Sequence, residues 1–153
     1  MEASISSQPR AANGEPLTEQ QQAQIDELKR IDAKVRSHER AHLTAAAGIA
    51  TSGASYTLKT GPDGKQYAVG GEVQIDISPG QTPEETIRKA RIIRAAALAP
   101  ADPSGQDQAV AAQAQAMEMQ ANLEIAQRSP EQSRLASAYG QNDLPIGVFE
   151  GQA

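Results

Sequence analysis

Between Thr18 and Ala47 about 30 residues pass without a proline or a glycine, and most are strong helix formers. At 1.5 Å per residue such a run predicts one helix of about 45 Å, long for a chain of 153 residues. Its start is marked. Thr18 can cap it, Gln21 can complete a capping box, and Leu17 lies just outside. Gly48 and the following TSGAS end it. The apolar positions Leu28, Ile31, Val35, Ala45 and Ile49 recur at spacings of three, four, ten and four, so they share one stripe. Two further positions complete that stripe, and they are the chain's only histidines, His38 and His42. The cations Lys29, Arg30, Lys34, Arg36 and Arg40 fall mostly on other faces. Both imidazoles are thus expected to face whatever the helix packs against.

Glu39 follows the first histidine, so residues 38–42 read H-E-x-x-H. The spacing suits one chemistry well. Residues four apart lie one turn apart on one face, where two imidazoles can hold a single Zn²⁺. A carboxylate beside them can take a proton from a metal-activated water and later deliver it to a leaving amine. Chance is a weak competitor: by simple counting, two histidines four apart with Glu directly after the first arise roughly once in a thousand such chains. A di-iron bundle, which also uses Glu-x-x-His, needs a second such motif and therefore more histidine than this chain has.

A β-hairpin is expected next. SYTLKT and KQYAVGGEVQIDI flank GPDG, whose Asp63-Gly64 suits a tight turn. Strict alternation in the second strand would put Tyr67, Val69, Val73, Ile75 and Ile77 on one face and Glu72, Gln74 and Asp76 on the other, with Gly70-Gly71 marking a bulge or a close approach. A second helix follows, capped by Thr82 with Pro83 in its first turn and Glu85 closing a capping box, and ended by Pro100. A third follows the possible cap Ser104 and stops at Ser129-Pro130, and a short fourth ends at Gly140. The fold class is therefore α+β: a long HExxH helix, a hairpin and further helices in a minimal zincin-like arrangement. Residues 1–16 are polar and expected to be disordered, 17–128 form the domain, and 129–153 add a short helix and a flexible tail.

The segments VRSHERAHLTAAAG, YTLKTGPDGKQYAVGGEVQIDISP and ETIRKARIIRAAALAPADPSGQDQAVAAQA resemble, in order and wording, the SprA-related family of bacterial metallopeptidases, including its Gly-Glu-Val motif at Gly71-Glu72-Val73. The resemblance covers roughly residues 25–125. It implies a zinc-peptidase-like site with His38 and His42 as metal ligands and Glu39 as catalytic base. No third histidine exists, so the third ligand should be a carboxylate. Glu72 is the first choice: it belongs to the motif, and the two glycines before it let the strand approach the helix. Glu85, with its neighbour Glu84, is the alternative, since a ligand on a downstream helix is the usual Glu-zincin arrangement. Asp76 is a weaker candidate. Tyr67 is a candidate oxyanion stabiliser, with Tyr56, Arg88, Arg91 and Arg94 behind it.

The remaining composition narrows the classes. Cysteine is absent, which removes disulfides, thiolate metal sites and cysteine nucleophiles. A net charge of -5 argues against nucleic acid as a partner. There is no apolar leader and no run of about 20 apolar residues for a membrane span, so a cytoplasmic address is the default. The expected function is zinc-dependent hydrolysis of peptide bonds, with a peptide or protein as substrate. The rival is a non-catalytic helical binding or scaffold protein with a structural or vestigial metal site, suggested by the Gln/Ala-rich helices and a core poor in large side chains. Oligomeric state is not legible.

Overall fold

The computed structural model describes residues 8–140. Four helices and one antiparallel hairpin make an α+β fold in the order α1 (Glu19–Ala45), β1 (Ser55–Thr60), β2 (Gln66–Glu72), α2 (Pro83–Ala97), α3 (Gly105–Ala126) and α4 (Pro130–Gly140). Residues 1–7 and 141–153, to which the expected disordered lead and flexible tail largely fall, lie outside the described residues. Within residues 8–16, Arg10 and Pro16 pair in an isolated bridge, and the Ala12 N–H donates to the Pro62 carbonyl at the hairpin turn.

Each helix starts where the capping chemistry places it. Thr18 and Gln21 form the reciprocal box of α1, and Ser104 and Asp107 form that of α3. Thr82 caps α2 by accepting from the Glu85 N–H. Here the expectation needs one correction: the Glu85 carboxylate accepts from the Gln81 N–H, one residue before the cap, so the box is not closed.

The hairpin turns through Asp63-Gly64, with Gly64 at φ 76°, a left-handed conformation that glycine adopts without steric cost. The second strand is shorter than its alternation suggests, ending at Glu72, beyond which only Ala50 and Ile75 pair in an isolated bridge. The register shifts between Thr57 and Leu58: Thr57 faces Gly70 and Leu58 faces Ala68, leaving Val69 as the extra residue of a bulge. The bulge breaks the expected alternation. Tyr67 and Ala68 are both buried and Val69 is exposed.

Two apolar clusters hold the fold. Ile25 and Leu28 of α1 pack on Tyr67 of β2, with Leu17 at the edge. Ala90 and Ile93 of α2 pack on Ala114 of α3, with Ile49, Ile75, Val110 and Met117 around them. In that cluster alanines stand on both helices, Ala90 on α2 and Ala114 on α3, and Ile93 is its largest fully buried side chain. Among the described residues no helix is long and apolar enough to cross a membrane.

Candidate metal centre

The site lies where the last turns of α1 meet the first turn of α3 and the end of β2. The stripe of α1 that buries Ile25 and Leu28 continues through His38 and His42, as helical spacing requires. The His42 Nε2 and His38 Nε2 atoms are 3.1 Å apart. Asp107, at the third position of α3, turns both carboxylate oxygens toward them: Oδ2 is 3.2 Å from His38 Nε2, and Oδ1 is 3.2 Å from His42 Nε2. Together His38, His42 and Asp107 can each offer one ligand atom to a common point.

The tautomer of His42 is set by its surroundings. Its Nδ1 lies 2.8 Å from the carbonyl oxygen of Ala96 near the end of α2, a group that can only accept, so Nδ1 carries the hydrogen. In the neutral ring Nε2 then presents a lone pair to the cleft. Fixing an imidazole through its far nitrogen is how metal-ligating histidines are oriented. A lone pair of His42 and a carboxylate of Asp107 thus point at one another beside a second imidazole, an arrangement that needs a cation or an added proton between them. The spacing suits a metal. Ligands at about 2.0–2.1 Å from a tetrahedral ion are separated by about 3.3–3.4 Å, close to the 3.1 Å between the two imidazole nitrogens and the 3.2 Å from each of them to its own Asp107 oxygen.

Asp107 is prepared for the role by its place on α3. The Ser104 N–H donates to its Oδ2 at 2.7 Å, and its own N–H donates to Ser104 Oγ. Burial works to raise this carboxyl, but the Ser104 hydrogen bonds and the adjoining histidines outweigh it, and it titrates below the usual carboxylate range. Glu39 is the opposite case. It is only 4 % exposed, and its Oε2 has no hydrogen-bond partner among the described residues. Burial raises its carboxyl above the ordinary value, against the pull of His38 and His42, and the negative charges of Asp107 and Glu72 add to the rise. Its pocket depends on Gly71: a Cβ there would stand 2.7 Å from Glu39 Cγ.

His38, Glu39, His42 and Asp107 line a cleft of about 430 Å³, whose wall is completed by residues between Gly71 and Ile77 and by Val110 of α3. Lys89 pins that wall by donating to Asp76 at 2.6 Å and to Ser78 Oγ at 3.0 Å.

His38, Glu39 and His42 come together as their spacing requires. Glu72 lines the same cleft and bears on Glu39 electrostatically, yet the carboxylate that converges with the two imidazoles is that of Asp107. Glu85 is turned to Gln81, and Glu84 forms a bidentate pair with Arg128, so neither joins the cluster. Asp76 is taken up by Lys89 and Ser78, whose hydrogen bonds hold its carboxyl well below the usual range. Tyr67 does not face the cleft: its hydroxyl donates to Asp63 at 2.5 Å beside the hairpin turn, and its ring fills the Leu28 cluster. The Tyr56 ring lies under the Arg36 guanidinium, 4.8 Å from its centroid. Arg91 pairs with Glu118, and none of Arg88, Arg91 and Arg94 lines the cleft.

A small α+β domain with a His-Glu-x-x-His helix and a convergent aspartate is thus defined. The sequence profile of the SprA-related family matches residues 3–144, and the chain belongs to that family. No curated protein and no solved structure matches it.

Proposed function

We propose that this protein is a zinc-dependent peptidase in which His38, His42 and Asp107 hold the ion and Glu39 is the general base. The observation that supports this most is the convergence of two imidazole nitrogens and the Asp107 carboxylate beside a buried carboxylate oxygen that has no partner among the described residues. When bound, zinc would polarise a substrate carbonyl and acidify a water molecule. The chain's residues account for the rest. His42, held by the Ala96 carbonyl, keeps its Nε2 free to bind. Asp107, held by Ser104, is ionised and oriented. Glu39 accepts the proton of the attacking water at its free Oε2 and returns it to the departing amine. The wall from Gly71 to Ile77 gives an extended peptide a surface to lie along.

A structural role for the ion is the second reading, and one observation favours it. Asp107 is also the capping-box residue of α3, so an ion bound there would fasten α3 to α1. Glu39 separates the two. A structural site has no use for a buried carboxylate that ligates nothing. The test is zinc content and cleavage of a quenched peptide library by the wild type and by Glu39→Gln. A catalytic site retains zinc and loses hydrolysis in the variant. A structural site retains zinc in both and cleaves nothing in either.

A further inference from the structure

The cleft's charge is one-sided. Among the described residues its lining includes Glu39, Glu72 and Asp107 and contains no lysine and no arginine. With all three ionised, a divalent ion still leaves one negative charge over. Glu72 is the carboxylate without an assigned task. It is exposed at the end of β2 and has no ion-pair partner among the described residues. Beside it the wall is aliphatic, with Val73, Ile75, Ile77 and Val110 partly exposed to the cleft. The site itself is marked independently by Glu39, a buried residue of the same lining whose Oε2 has no hydrogen-bond partner among the described residues.

We infer that the cleft selects internal segments of peptide chains that present a cationic side chain to Glu72 and an apolar side chain to the Val73–Ile77–Val110 wall. It disfavours chain ends bearing a free carboxylate, and phosphorylated segments, because no lysine or arginine lines the cleft to receive them away from the ion. Exopeptidases that read a C-terminal carboxylate need such a cation, commonly an arginine with its planar fork of donors. The inference rests on the peptidase reading and names its substrate class. Glu72 acts here as a specificity residue, not as a metal ligand.

The test uses quenched fluorescent peptides of one sequence carrying leucine, flanked in turn by lysine, alanine or glutamate, each with a free or an amidated C-terminus. They are given to the zinc-loaded full chain and to its Glu72→Gln and Glu72→Lys variants. Binding of the same peptides to zinc-loaded Glu39→Gln, and to that variant with Glu72→Lys added, is followed by fluorescence anisotropy. The expected result is kcat/KM at least about tenfold higher for lysine than for glutamate peptides, a preference removed by Glu72→Gln and inverted by Glu72→Lys. Equal rates for the two peptides, or a preference that survives both variants, would overturn the inference and leave the peptidase reading standing. If nothing is cleaved but Glu39→Gln binds the lysine peptide about tenfold more tightly and Glu72→Lys abolishes this, the specificity stands and the peptidase reading falls. Neither binding nor cleavage of any peptide would remove both.

Discussion

The two ends of the α1–β2 contact are built from opposite materials. Toward the hairpin turn, Ile25 and Leu28 meet Tyr67 in an apolar cluster, and the polar groups nearby are all engaged: Tyr67 with Asp63, and Asp32 with both Arg36 and the Ala68 N–H. Toward the strand's end the same helix sets Glu39 against Gly71 of the hairpin and His38 and His42 against Asp107 of α3, and there a buried carboxylate oxygen is left without a partner among the described residues. A buried carboxylate lacking hydrogen bonds costs free energy, so this end draws on the stability of the other. The fold thus separates what holds the helix in place from what the helix presents.

Glu39→Gln gives the sharpest contrast. Hydrolysis should fall by about 10²–10⁴, the usual contribution of a general base. The melting temperature should stay the same or rise, because an amide is cheaper to bury than a carboxylate. A thermal shift assay beside the cleavage assay reads both, and a variant that melts lower with its activity intact would reverse the assignment of the two ends. Leu28→Ala, at the apolar end, should cost about 2–5 kcal/mol in a urea titration. The protein that remains folded should keep its zinc content, and a selective loss of zinc there would show that the two ends are not separable. Gly71→Ala lies between these. The added methyl would press on Glu39 Cγ and cost about 1–3 kcal/mol as overpacking. It should lower kcat while leaving metal content unchanged.

The smallest effect is Tyr67→Phe, about 1 kcal/mol for a lost hydrogen bond, with no change in hydrolysis. Its pH dependence tests the same interaction. The Asp63 hydrogen bond, together with burial, pushes the Tyr67 phenol up to about 12. A group whose folded value is raised contributes stability that is fully present below its unfolded value, about 10, and is lost as pH rises through the folded one. Wild-type stability should therefore decline between about pH 10 and 12 more steeply than that of Tyr67→Phe, as thermal melts across that range would show.

Much of this contrast was legible in the sequence, and the parts that were not have identifiable causes. Helical periodicity places His38 and His42 on the stripe of Leu28 because both features depend only on residues within a few turns. The helix starts at Thr18, Thr82 and Ser104 follow from local capping chemistry in the same way. The phase of β2 does not, because the bulge at Val69 adds one residue and shifts the side chains beyond it. Gly70-Gly71 signalled a bulge close by, but not on which residue it falls. The aspartate of the cluster was hidden for another reason. Ser104-x-x-Asp107 is visible as a capping box, which gives Asp107 a local role of the kind that Glu85 also seemed to have. Which of the two helix starts faces the histidines is decided by how α2 and α3 pack through their alanines, and no local pattern encodes that. The Ala96 carbonyl that orients His42 is a backbone group and leaves no trace in side-chain identity.

Zinc per chain decides which carboxylate completes the proposed metal centre. Elemental analysis of dialysed wild type, Asp107→Ala and Glu72→Ala, each confirmed as folded by circular dichroism, should give one zinc in the wild type, one in Glu72→Ala and none in Asp107→Ala. Zinc retained by Asp107→Ala and lost from Glu72→Ala would contradict the centre described here.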